Sequence, residues 1–266
     1  MTSSYELELM ALAVLLYVYD CAVLLYANEG LLIGAPAWPR RRPAGRAHWR
    51  AVSPRGLLQL GGRFLYLQNP LMPQRPAFRL SWGFAADTGP ASHDFSGGPS
   101  GLASLTGLAE SLAVLTPFVA TAALALYVLL PLGLISPLGL GALVPALVLL
   151  YGSIAAALRL LYLRRAALAL TRGQCAVLAF ECLACPPFGV NLVRRIALAK
   201  RCAVRFPDAA VRLLEPPRWQ ALERELEAQL GEELAAPDLD DADRRGLEAQ
   251  IRRLRALESG THGREA

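Results

Sequence analysis

The sequence predicts a mainly α-helical integral membrane protein with three transmembrane helices, a small β-containing cytoplasmic loop region and a C-terminal cytoplasmic helical region. Three observations lead there. Hydrophobic residues make up 54% of the 266 and charged residues only 18%, a balance too apolar for an ordinary soluble domain of this length. Three segments are long and almost free of charge, as the roughly 30 Å hydrocarbon core requires of a spanning helix of about 20 residues. The 27 basic residues fall in two clusters beside these segments, and such clusters orient helices in a bilayer.

The first span is read over 7–27, where Glu8 and Asp20 are the only charges. The start MTSSYELEL carries no basic residue, unlike a cleavable signal peptide, so an uncleaved anchor is expected. Spans two and three are read over 111–134 and 138–158, both without charge, with Ser136 and Pro137 making a tight hairpin between them. No basic residue precedes the first span, nine lie from Arg40 to Arg79 and eighteen from Arg159 onward. Cytoplasmic loops hold the excess. The expected topology is a multi-pass protein of the inner (cytoplasmic) membrane, with the N-terminus outside and the C-terminus cytoplasmic.

The cytoplasmic loop, 28–109, opens with Pro36, Pro39, Arg40, Arg41, Arg42 and Pro43, an extended basic strap that resists helix formation. Apolar and aromatic residues then alternate through Leu57, Phe64, Tyr66, Phe78, Leu80, Trp82 and Phe84, which predicts two or three strands. HDFSGGPSG, from His93 to Gly101, reads as a flexible lead into span two. Its glycines lack the Gly-Lys-Ser/Thr ending of a phosphate loop.

Residues 159–214 form a basic juxtamembrane region. QCAVLAFECLACPPFGVNLVRR is apolar enough to suggest a fourth span, but that span would bury Glu181 and break at Pro186 and Pro187. The preferred reading is a packed or interfacial helix, then a basic amphipathic helix starting at Pro187 on the inner surface. Arg194, Arg195, Lys200 and Arg201 would there meet anionic headgroups, as would Arg40 to Arg42. Orientation and lipid explain the pI near 9.1 better than nucleic acid, whose binding modules interleave aromatic and basic residues.

Cys175, Cys182 and Cys185 share one helical stripe with Leu178. Adding Cys202 would complete four zinc ligands, but there is one Cys-x-x-Cys pair and no nearby histidine. Small packing residues are the simpler reading, and nothing calls for a cofactor. Asp238, Asp240, Asp241 and Asp243 lack the glycine that a calcium loop requires; they complement a helix start. No metalloprotease or nucleophile-elbow motif appears, and His48, His93 and His262 lie outside the spans, so a non-enzymatic protein is expected.

Residues 215–266 predict a helical hairpin and tail. Trp219, Leu222, Leu226 and Leu230 form a stripe on its first helix, and Leu247, Ile251, Leu254 and Leu257 form one on the second. The first stripe is the candidate docking surface for a protein partner or a second copy. Within the membrane, Asp20 is the feature to explain. Ala13, Tyr17, Asp20, Leu24 and Ala27 share a face in span one; Thr116, Ala120, Ala123 and Tyr127 do so in span two; Gly141, Pro145, Gly152, Ala156 and Arg159 do so in span three. These small and polar faces predict the helix contacts. A lone carboxylate in a span costs about 2.5 to 3.5 kcal/mol, so Arg159 is the expected partner, or the hydroxyls of Tyr17 and Tyr127 if the acid is protonated. Asp20 then serves as a lock in the bundle, a polar docking point or a coupling group for protons or ions. The sequence reading is a membrane anchor or assembly component, with a small transporter or channel subunit as the alternative.

Overall fold

In the computed structural model the apolar N-terminal segment is divided between two different elements. Residues 4–34, 49–82, 99–136, 139–200, 202, 204–235 and 239–262 are described. Arg40, Arg41, Arg42 and Arg201 lie outside them, as do 93–98, Phe84, Asp238 and the prolines of the basic strap. The molecule is mainly helical with two small sheets.

Helix α1 runs Ser4–Asp20 and strand β1 follows at Ala22–Leu25. The first span therefore does not reach Ala27. Its uncharged run, Leu9 to Tyr19, measures about 17 Å at 1.5 Å per residue, and the sheet captures the chain where the helix ends. Cys21 gives its N–H to the last helical turn at Tyr17 O (3.0 Å), while its carbonyl accepts from Gln68 N (3.0 Å).

Strand β1 belongs to one antiparallel sheet with β4 (Leu58–Leu60) and β5 (Arg63–Leu67), in the order β1-β5-β4. Gly61 and Gly62, at φ of +55° and +78°, turn β4 into β5, the two-residue hairpin that only glycine-type backbones make easily. A second antiparallel sheet has β2 (Glu29–Ile33) between β3 (Arg50–Val52) and β6 (Ala77–Ser81). Val23 and Leu25 of β1 bury against Leu31 of β2, with Phe64 and Tyr66 packed around them. The sequence reading of two or three strands thus undercounts the six described, because β1 is hidden inside the apolar segment and the short β2 and β3 lie before the alternating run.

The helices follow as α2 (Pro99–Ala113), α3 (Thr116–Leu124), a π-helical turn (Ala125–Leu129), α4 (Leu130–Ile135) and α5 (Leu140–Leu163). Two continuous stretches, Thr116–Ile135 and Leu140–Leu163, are long and apolar enough to cross a membrane. The second apolar stretch begins at Thr116 rather than Ser111, because α2 ends before it and buries Leu105 and Leu112 in the core. The third extends to Leu163.

Helix α6 (Arg172–Ala184) starts at a reciprocal cap between Thr171 and Gln174, which satisfies two otherwise orphaned N–H groups. Then come α7 (Pro186–Val190), α8 (Leu192–Ala199), α9 (Phe206–Leu213), α10 (Pro216–Leu234) and α11 (Asp241–His262). Helix α7 is wedged among α1, α3 and α5, and a Cβ on its Gly189 would stand 2.9 Å from Ile154 of α5. One apolar core joins α2, α3, α5, α8, α9 and α10 to Phe78 and Leu80 of β6.

Two expectations are corrected by this packing. Helix α8 is no surface helix, since Leu192, Val193, Arg194, Ile196 and Ala197 are all buried. Trp219, Leu222, Leu226 and Leu230 are also buried in the chain's own core, with Leu254 of α11. Arg55 ties α10 down through Glu232 (2.5 Å), Ser53 bonds Glu225, and Arg218 donates to Trp49 O (3.0 Å). A stripe already filled from within offers no docking face.

Gly30 of β2 lies against the Phe206 ring, where a Cβ would come within 2.6 Å. Overpacking of this kind costs about 1 to 3 kcal/mol. Gly30→Ala is expected to lower the thermal midpoint, and Phe206→Leu to remove much of that added penalty in a double-mutant cycle.

Candidate functional site at the foot of the apolar helices

The CPPFGVNLVRR run supplies most of the polar cluster at the base of the hairpin. Asn191 and Arg194 are three residues apart on one helical face, and both are turned into the protein. Arg194 is only 2% exposed. Its Nη2 donates to the carbonyls of Asn69 and Met72 (2.7 Å for Met72), and its Nη1 to Asn191 Oδ1 (3.3 Å) and Cys21 Sγ (3.2 Å). Asn191 also donates through Nδ2 to the same sulfur at 3.6 Å. A planar guanidinium suits this task, since its fork reaches several acceptors at once.

Arg195 turns the other way. Its Nη2 meets Glu181 Oε2 at 2.7 Å, its Nε lies 3.8 Å from Asp20 Oδ1, and its guanidinium stacks on the Phe188 ring at 4.5 Å. The partner of Asp20 is therefore Arg195 and not Arg159, which is exposed on α5. The reason is geometric. Asp20 ends α1 beside α7 and α8, and α5 presents Ala146, Leu150, Ser153, Ile154, Ala157 and Leu161 inward instead. The small-residue face of Gly141, Pro145, Gly152 and Arg159 looks outward.

Tyr17 faces inward on α1. Its hydroxyl donates to Pro70 O, and its ring meets that of Tyr127 at 4.6 Å between centroids. Neither hydroxyl reaches Asp20: the Tyr127 hydroxyl is buried without a hydrogen-bond partner among the described residues. The π-helical turn carries Tyr127, and such turns re-aim one side chain within a helix.

Of the predicted membrane-surface cations, Arg194 and Arg195 are thus internal ties. Lys200 donates to Ala169 O at 2.8 Å, capping the one non-glycine residue with positive φ (+47°) among those described. Burial pulls the Lys200 ammonium below its ordinary range.

Cys175, Cys182 and Cys202 are buried, Cys185 is half-buried, and all are free thiols. Among the described residues no three His, Cys, Asp or Glu side chains converge as ligands of one ion, so the four-cysteine set is not assembled. Burial pushes the Cys182 thiol up to about 12. Burial also raises the Cys21 thiol, the nearby Arg194 only partly offsetting it. Reactive cysteines need the opposite environment. What this arrangement does chemically is hold charge and backbone in place.

The sequence missed Asn191, Cys21 and the carbonyls of Asn69 and Met72. Its signal was present: two arginines inside LVRRIALA, flanked by residues that must be buried. Comparison of the chain with known protein families, characterised proteins and solved structures finds no match in any of the three.

Arg194 is held by neutral acceptors, and each buried acceptor left without its donor costs about 1 to 3 kcal/mol, whereas exposed sites stay within about 0.5 kcal/mol. Arg194→Met is expected to lose most of the stability measured by detergent-phase melting, and Arg159→Gln almost none. At pH 7.5, Cys182 carries about a thousandfold less thiolate than a thiol titrating at 9.0. Maleimide labelling followed by peptide mass mapping should leave Cys21 and Cys182 unmodified until the protein is unfolded, with Cys185 labelled first.

Proposed function

We propose that this protein is a non-catalytic membrane anchor: an apolar helical hairpin inserted in the bilayer and carrying a cytoplasmic module of two sheets and helices. The observation that carries this reading is the outward face of the hairpin. Only 22% and 28% of the most apolar windows of the two long stretches are buried inside the protein, unlike the core helix of a soluble domain. Leu124, Val128, Leu132, Ile135, Val144 and Val148 point outward. Such a surface is stable in lipid and marks an interaction site in water.

Connectivity supports two crossings. Residues of 22–34, 49–82 and 192–230 pack into the chain's buried core, which supports their lying on one side of the bilayer with an even number of spans between 82 and 192; the hairpin would supply two. The arginine excess in the regions flanking the hairpin supports a cytoplasmic placement of that side. Helix α1 also exposes Leu12, Val14, Leu15 and Tyr19, and its apolar length of about 17 Å falls short of a crossing, which supports its lying along the bilayer boundary. Arg159, Tyr162, Arg164 and Arg172 stand exposed near the end of α5, where aromatic and basic residues anchor a span at the headgroups.

Within this reading Asp20 locks α1 to α6 and α8 through Arg195. A coupling role is less well supported, since the carboxylate lies at the end of α1 beside a fixed cation rather than along the hairpin.

Alkaline carbonate should leave the chain in the membrane fraction. An impermeant maleimide applied outside should modify Leu140→Cys, while Arg50→Cys and Arg252→Cys react only after the membrane is opened. Extraction by carbonate would sink the anchor, and labelling of Arg50 and Arg252 from opposite sides would sink the two-span topology.

A further inference from the structure

The β1-β5-β4 sheet has an outer face that no other element covers among the described residues. Opposite residues in the register are Leu24 with Leu65, Leu65 with Leu58, and Ala22 with Leu67; residues directly opposite share a side. The inner side holds Val23, Leu25, Phe64 and Tyr66. The outer side is aliphatic apart from Arg63, which stands opposite Leu60 at its edge, with Leu58, Leu60 and Leu67 exposed by 64%, 49% and 50%. Just beyond β5, Leu71 is 88% exposed in the turn that Arg194 clamps.

We infer that this leucine face lies in the interfacial zone of the bilayer, with Leu71 inserted beside the hairpin. The inference rests on the membrane reading above. Three features select lipid as the occupant. The first is position: Tyr17 touches Tyr127, midway along the apolar stretch Thr116–Ile135, and donates to Pro70, so the end of β5 and Leu71 lie beside the hairpin. Strand β1 continues from α1, whose outward residues are apolar too. The second is the rim. Arg63 donates to the Tyr26 hydroxyl at 2.8 Å and lies 4.8 Å over that ring, an amphipathic pair suited to headgroup depth. The third is chemistry: Leu24, Leu58, Leu60 and Leu67 are four exposed leucines, and a face already held at the bilayer by the hairpin needs no large contact area of its own.

The test places an environment-sensitive fluorescent amino acid at Leu60, at Gln59 on the opposite side of the same strand, or at Val144 in the hairpin. The full chain is reconstituted in vesicles of mixed zwitterionic and anionic phospholipid carrying nitroxides either near the headgroup or deep in the acyl chains. All three sites are exposed, and unchanged near-ultraviolet circular dichroism verifies the fold. The expected result is several-fold stronger quenching at Leu60 than at Gln59, by the shallow nitroxide, with Val144 quenched by the deep one. Quenching at Val144 without quenching at Leu60 overturns the leucine-face proposal and leaves the anchor standing. Energy transfer between copies at Leu60 without nitroxide quenching also overturns it, in favour of a second copy as occupant. Loss of quenching at Val144 instead refutes the membrane reading on which both depend.

Discussion

The buried Arg194 guanidinium is the constraint on which the base of the molecule depends. From one position at the start of α8 it holds the carbonyls of Asn69 and Met72, the Asn191 amide and Cys21. Those groups belong to the exit of β5, the link to α8 and the joint between α1 and β1. A cation so deeply placed is tolerated only because its acceptors are fixed around it, and it fixes them in return. With that clamp set, Tyr17 can rest on Tyr127, and Arg195 is left to pair with Glu181 and Asp20 on the outer side.

Around this polar joint the molecule has an uneven distribution of apolar surface. The side toward the sheets and α8 to α10 is packed like any globular core, with Phe78, Phe206, Leu192 and Leu226 fully enclosed. The hairpin side is built from residues just as apolar, yet Leu124, Leu132, Ile135, Leu140 and Val148 of its outward side are exposed. Hydrophobicity has two destinations here, and each stretch of sequence goes to one of them according to what packs on it. The joint sits between the two, where backbone carbonyls and side-chain amides would otherwise lie buried without partners.

Sequence reasoning was strongest where the determinants are local. The mainly helical class and the apolar stretches around 116–135 and 140–163 follow from length, composition and absence of charge, which need no knowledge of neighbours. It was weakest where one segment could satisfy two patterns. LYVYDCAVLLY is apolar enough to continue as helix, but Val23 and Leu25 bury and Leu24 does not, an alternation visible only once β5 pairs beside it. The α10 stripe, likewise, demanded burial without stating against what.

By itself, then, the sequence determined which segments are helical and which are long and apolar. Each of these is a property of a few neighbouring residues. The tertiary structure alone decided that Asp20 meets Arg195 rather than Arg159, that Arg194 is internal, and which face of α5 is covered. Sixteen arginines downstream of the hairpin are chemically equivalent candidates in the sequence. The contact from Arg194 to Cys21 closes 173 residues of chain, and only the packing of α7 between α1, α3 and α5 selects which guanidinium arrives there.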